Sequence, residues 1–238
     1  MPLISLANKA NNSKGGALHT SDLPRGAGKK YKLRNAAVLI PLLRQADEWH
    51  VLYIRRSKNE KDRHSGQVAF PGGACDKNDT DAIDTALRET REEVGIRRDK
   101  IRIVGVLPDY ETISYFRVTP VVGLLQWPCT MKLQESEVAR AFTIPLDWLL
   151  DSSHYELRER RPNEHDKKQT AADTTREPGR RQIAYFDEYD GELLWGASAR
   201  ITLNFLHALR TQQLLIPGYT YPLPEHPDSD IQTARSDN

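Results

Sequence analysis

From Ala36 onward the chain alternates apolar runs with short polar breaks, and the period of the apolar positions changes along it. AAVLIPLL (36–43) and WHVLYIRRS (49–57) are rich in branched and aromatic residues and flank a polar turn at 45–48, which predicts two strands. QVAFPGG (67–73) predicts a short strand entering a Pro-Gly-Gly turn. From Asp81 to Val94 the period becomes helical, with Ile83, Ala86, Leu87, Thr90 and Val94 on one stripe. Asp79, Thr80 and Asp81 are N-cap candidates for that helix, and Gly95 is its stop. IRIVGVL (101–107) and RVTPVVGLL (117–125) predict buried strands, and VARAFTIPLDWLL (138–150) a strand turning into a helix. IAYFDEYDGELLWGAS (183–198) predicts strands around an Asp-Gly turn, and SARITLNFLHALRTQQLL (198–215) an amphipathic helix.

Three stretches lack such a pattern. Residues 1–30 are rich in Asn, Ser, Gly and Lys and read as a flexible leader. Residues 156–182 are almost wholly polar with two prolines, which predicts a mobile insertion. The Pro/Asp/Ser-rich residues 222–238 read as a disordered tail. This leaves one mixed α/β domain over 31–221.

Composition narrows the function classes. The 238 residues carry 34 basic and 33 acidic side chains, a net charge of +1, which gives no bulk electrostatic reason to expect a nucleic-acid or membrane partner. Cys75 and Cys129 form no metal-spaced or redox pair. No apolar run reaches a membrane span, and no signal-peptide pattern opens the chain. A cytoplasmic protein is expected, with organellar targeting by the basic leader as the alternative.

The chemistry concentrates in RETREEVGI (88–96). Acids in the last helical turn oppose the helix dipole by roughly 0.3–1 kcal/mol each, and Glu89 and Glu93 repel across one turn. At about 100° per residue, Glu89, Glu92 and Glu93 fall within one sector, expected opposite the Ile83–Leu87–Val94 stripe. Arg88 can pair with Glu92, and Arg97 and Arg98 can soften the dipole conflict. A set of hard oxygen ligands on a rigid helix suits magnesium or manganese. A solvated acidic face is the ordinary alternative. The misplaced acids together with the glycine turn that feeds the same helix favour a site, because glycines let backbone amides approach an anion.

Gly73, Asp79, Arg88-Glu89, Glu92-Glu93, Gly95 and Ile96 resemble the Nudix box, whose pattern is Gly, five residues, Glu, seven residues, then Arg-Glu-U-X-Glu-Glu-X-Gly-U with U aliphatic. Here Asp79 stands for the first Glu, eight residues separate it from Arg88, and Thr90 fills the first U; without an insertion the box glycine would be Ala74. LYIRRS (52–57) and HSGQVAFPGG (64–73) resemble the motif upstream of the box in coenzyme A diphosphatases of the superfamily. TALRE (85–89), VTPVVG (118–123), EVARAFTIPL (137–146) and DGELLWGASARI (190–201) are similar too, so the resemblance covers about residues 36–210. That motif has Arg four before the glycine, where this chain has Asp62 before Gly66, with Arg63 adjacent.

The resemblance implies a Nudix fold, an α/β/α sandwich with a mixed sheet and a catalytic loop-helix-loop. It implies cleavage of the pyrophosphate bond of coenzyme A or a derivative to 3′,5′-ADP and 4′-phosphopantetheine. Other nucleoside diphosphate derivatives, or a non-catalytic binding module, are the alternatives. Glu89, Glu92 and Glu93 would hold magnesium or manganese, and Arg88 would orient them. Glu137, with Glu135 second, would be the base. Arg55, Arg56, Gly72 and Gly73 would meet the substrate. His64 reads as a loop hydrogen-bonder, and Tyr115 and Trp195 as core or rim aromatics. The partner expected is a small nucleotide of coenzyme A type, with room for a homodimer.

Overall fold

A computed structural model describes residues 4–5, 20–22, 32–58, 65–160 and 181–220. Most of the leader, residues 59–64 (with Asp62, Arg63 and His64), residues 161–180 and the tail lie outside the described residues.

The strands are β1 (Ile4–Ser5), β2 (Arg34–Gln45), β3 (Glu48–Arg56), β4 (Val68–Ala69), β5 (Gly72–Ala74), β6 (Ile101–Val106), β7 (Tyr110–Glu111), β8 (Phe116–Leu125), β9 (Val138–Pro145), β10 (Tyr155–Arg160), β11 (Arg181–Tyr189) and β12 (Glu192–Trp195). The α-helices are α1 (Ala82–Val94), α2 (Leu146–Leu150) and α3 (Gly196–Arg210). The main sheet runs β1-β6-β8-β2-β3-β4, with β5 on β2, β7 on β8 and β9 on β3. β1 is parallel to β6 and β2 to β8; the remaining pairs are antiparallel, so the sheet is mixed as expected.

β2 reads as an unbroken apolar run because both of its faces are covered. Ala37, Leu39 and Leu43 pack with Leu52 and Ile54 against Ala86, Leu87 and Val94 of α1. Ile40 and Leu42 face the opposite layer with Val51 and Tyr53, packing toward Phe205 and Leu206 of α3. The Tyr53 hydroxyl meets Thr202 Oγ1 at 3.0 Å, satisfying a polar group that the core would otherwise strand. This is the α/β/α sandwich. No helix among the described residues is long and apolar enough to cross a membrane.

Two sequence boundaries move. Residues 156–160 and 181–182, assigned to the polar insertion, lie in β10 and β11, which pair from Tyr155↔Phe186 to Arg160↔Arg181 and make a second sheet with β12. Polar side chains suffice there because the ladder itself satisfies the backbone. α3 starts at Gly196 and stops at Arg210, earlier than its apolar period, where Leu214 N–H closes onto Ala208 O at 3.0 Å. The Asp-Gly turn is confirmed: Asp190 and Gly191 both have positive φ, 52° and 75°, the backbone twist a two-residue hairpin needs.

α1 begins where Asp81 accepts from Asp84 N–H at 2.8 Å and ends at Gly95, φ 74°. A Cβ on Gly95 would come within 2.8 Å of Lys132 N. Gly95→Ala should therefore lower stability by more than the ~1 kcal/mol of a left-handed alanine alone. Urea denaturation checks this; a loss below that figure would mean the 132 segment yields.

Candidate active site

The loop entering α1 is built around Asp79. Its carboxylate accepts from Asp76 N–H at 2.8 Å and from the Thr85 hydroxyl at 2.8 Å. It also takes a two-pronged bond from Arg88, Nε to Oδ1 at 2.8 Å and Nη2 to Oδ2 at 2.9 Å. The Arg88 bond above all holds the Asp79 carboxyl well below the usual carboxylate range. Arg88 Nη1 donates to Glu89 Oε1 at 2.9 Å and to Glu92 Oε2 at 3.0 Å, and Nη2 reaches Ala74 O at 3.1 Å. All five N–H groups of this guanidinium are thus engaged, a planar fork that lysine cannot copy.

The three glutamates do not share one environment. Glu92 is exposed and Glu89 half-buried, but Glu93 is only 2% exposed and packs toward the sheet. It follows Ala86 by seven residues, which returns it almost to the same bearing on the buried face. The expectation that all three stand opposite the apolar stripe is corrected for Glu93. Glu93 Oε2 accepts Gly72 N–H at 2.9 Å, and Arg56 Nη1 lies 4.0 Å from Oε1. Burial nonetheless pushes the Glu93 carboxyl up to about 8, against the pull of Gly72 and Arg56, with Glu89 and Glu137 adding repulsion. Glu89 is raised as well, first by burial. A Cβ at Gly73 would sit 2.6 Å from the Glu89 carboxyl and would push that side chain from its place beside Arg88.

The helix end is completed by another loop. Lys132 N–H donates to Val94 O and Gln134 N–H to Glu93 O, both at 2.9 Å. These bonds cap the last carbonyls, while Arg97 and Arg98 pair with Asp99 and Asp84 instead of serving the helix end. The same loop turns at 135–137 and is tied to β3: Ser57 N–H donates to Glu137 O at 2.8 Å and Ser57 Oγ to Glu135 O at 2.7 Å. Glu137 is thereby placed where its charge is felt by both Glu89 and Glu93.

Of the residues singled out in the sequence, the fold gathers Arg56, Gly72, Gly73, Arg88, Glu89, Glu92, Glu93 and Glu137 at one end of the main sheet. Arg55 points to the other face and meets Glu192 at 3.0 Å. Gly72 directs its amide to Glu93 rather than outward. A cavity of about 300 Å³ lies beside Asp79, lined also by Asn35, Cys75, Asp109 and Arg117 among others, and holds none of the three glutamates. Asp79 as the partner of Arg88, and Glu192 as the partner of Arg55, are contacts that sequence reasoning missed. The longer box spacing was a signal for Asp79; nothing local marks Glu192.

A family model for the NUDIX domain matches residues 33–167. The chain belongs to the Nudix family. A Nudix hydrolase NudL of Pectobacterium atrosepticum, described as uncharacterized, is 36% identical over 190 residues, 80% of this chain and 88% of that protein. Another NudL, of Citrobacter koseri, is 42% identical over 132 residues, 56% of this chain and 68% of its own. Among solved structures, a MutT/nudix family protein from Enterococcus faecalis aligns over 79% of this chain and 64% of its own, with 16% identity and a TM-score of 0.43.

Nudix hydrolases generally use divalent metal ions, typically magnesium or manganese. Among the described residues no three His, Cys, Asp or Glu side chains converge to enclose an ion, and Arg88 holds Glu89 and Glu92. The donors still fit such a cation. Magnesium needs only one or two carboxylates when phosphate oxygens and waters supply the rest, and burial makes the negative charge of Glu93 costly without a cation beside it.

That charge has a pH signature. Glu93 binds its proton with a value near 8 in the folded chain against 4.5 in the free residue, so the native state holds more protons between those values. With chelator present, stability contributed by this group should fall as pH rises from about 4.5 to about 8. Melting temperatures across that window should fall more steeply for the wild type than for Glu93→Gln, and magnesium should raise them more at pH 8 than at pH 5. Equal slopes would show that Glu93 is not the group responsible.

Proposed function

We propose that this Nudix hydrolase cleaves the pyrophosphate bond of coenzyme A or its derivatives, giving 3′,5′-ADP and 4′-phosphopantetheine. The observation that carries the reading is the placement of residues 52–58 and 65–73, which lie in the stretch that bears the resemblance to coenzyme A diphosphatases. This segment ends β3 at Arg56, 4.0 Å from Glu93, and re-enters the site at Gly72, whose amide holds Glu93. The stretch that would select the substrate is thus continuous with the acids that would serve the chemistry.

In this reading Glu89, Glu92 and Glu93 hold magnesium or manganese, which when bound neutralises phosphate charge and acidifies a water. Arg88 and Gly72 are positioning groups: the first sets Glu89 and Glu92, the second Glu93. Gly73 keeps the loop close to Glu89. Glu137 takes the proton of the attacking water, with Glu135 on the same turn as the alternative base. Arg56 balances phosphate charge beside Glu93. A buried, strained carboxylate such as Glu93 has no use in a module that only binds, which favours catalysis.

A second reading, hydrolysis of other nucleoside diphosphate derivatives such as ADP-ribose or dinucleotides, is favoured by Asp62 standing where the coenzyme A motif has Arg. A substrate panel with magnesium or manganese, resolved by chromatography, separates the two. Coenzyme A should yield both products, and Glu93→Gln should lower kcat by about 10²–10³-fold with the fold intact. Cleavage of ADP-ribose without cleavage of coenzyme A would replace the first reading by the second.

A further inference from the structure

Across the sheet from α1, at the same end of β3, lies a second charged group that the chemistry above does not use. Glu192 opens β12 and is 4% exposed. One of its oxygens, Oε1, accepts both Arg55 Nη1 and Arg140 Nη1, each at 3.0 Å. Arg140 is held again by Asp190, through the carbonyl at 2.9 Å and through the carboxylate, and it lies over the Phe142 ring at 5.4 Å. The Arg55 side chain makes no other hydrogen bond or ion pair among the described residues. Its side chain is 41% exposed.

The four charges sum to zero, but the hydrogen-bonding capacity does not balance. Asp190 sits on Arg140, so Arg140 is the anchored member. Arg55 keeps four of its five N–H groups for a ligand, in the planar fork that fits phosphate oxygens. A carboxylate whose only task was to tie the β11–β12 hairpin to the sheet would need Arg140 alone. Drawing a second guanidinium onto the same oxygen fixes the rotamer of Arg55 and sets its open edge outward. Along β3, Arg55 is next to Arg56, and the two side chains leave the strand on opposite faces. An anion bound by Arg55 would therefore be a different group from the one that meets Arg56 and the glutamates.

We propose that Glu192 positions Arg55, backed by Arg140, to take a second anionic group of the substrate, the 3′-phosphate of coenzyme A. This rests on the coenzyme A reading above and adds the specificity element to it. Glu192 acts through Arg55 and touches no substrate.

The test compares kcat/KM for coenzyme A and for dephospho-coenzyme A, which differs only in lacking that phosphate, on the full chain with magnesium. The wild type should prefer coenzyme A by about tenfold to a hundredfold, the range of charge-assisted hydrogen bonds. Arg55→Gln should bring the two values within a factor of a few. Glu192→Gln should narrow the preference too, and Arg55→Lys should restore part of it. The ratio is the readout because a purely structural loss lowers both substrates together. If Glu192→Gln does not fold, Arg55→Gln, which leaves Glu192 paired with Arg140, carries the test by itself. A wild type that cleaves both compounds equally, or a preference that survives Arg55→Gln, overturns the clamp and leaves the coenzyme A reading standing. A wild type that cleaves neither overturns both.

Discussion

The guanidinium of Arg88 is the interaction on which the site depends. Its five donors join the Asp79 turn, the Ala74 carbonyl at the end of β5, and two glutamates of its own helix. Without it, Glu89 and Glu92 would face one another uncompensated, and the loop would lose the partner around which it is folded. Because β5 also pairs with Ala36–Val38 of β2, the same fork fixes the helix relative to the centre of the sheet. Asp79, although not the glutamate of the usual box, supplies both oxygens to that fork, so the longer loop closes on the same arginine.

Glu93 shows how the fold holds a carboxyl where its charge is unfavourable. It lies at the negative end of a helix, beneath the surface and beside other acids, which are three separate reasons for it to resist ionisation. The compensations are local: an amide from Gly72, a guanidinium at 4.0 Å, and backbone caps from Lys132 and Gln134 on the helix carbonyls. They keep the carboxyl in place but do not offset the cost of ionising it. A cation beside it would supply the charge these partners lack.

Much of this was legible in the chain. The apolar runs of β2, β3 and β8 and the helical stripe of α1 located the core, because burial on two faces or on one stripe leaves different periods. The caps of α1 were legible as Asp81 and Gly95, and the acid trio as a cluster. What sequence could not give was depth. Helical angles group Glu89, Glu92 and Glu93 but do not say where the sheet lies, and the sheet puts Glu93 inside. Nor could periodicity reveal Glu192, whose partners are 137 and 52 residues distant. The polar hairpin arms of β10 and β11 were missed for a related reason: their pairing relies on backbone, which composition does not report.

β3 pairs with β9 through a bulge, Arg55 opposite Arg140 and Arg56 opposite Val138, with Ala139 as the extra residue. Side chains alternate along a strand, so a slip of one position would exchange the two arginines between faces. Insertions or deletions ahead of Arg55 should therefore be excluded from functional variants of this protein. The bulge makes the register of one short strand decide which face of the sheet each arginine serves.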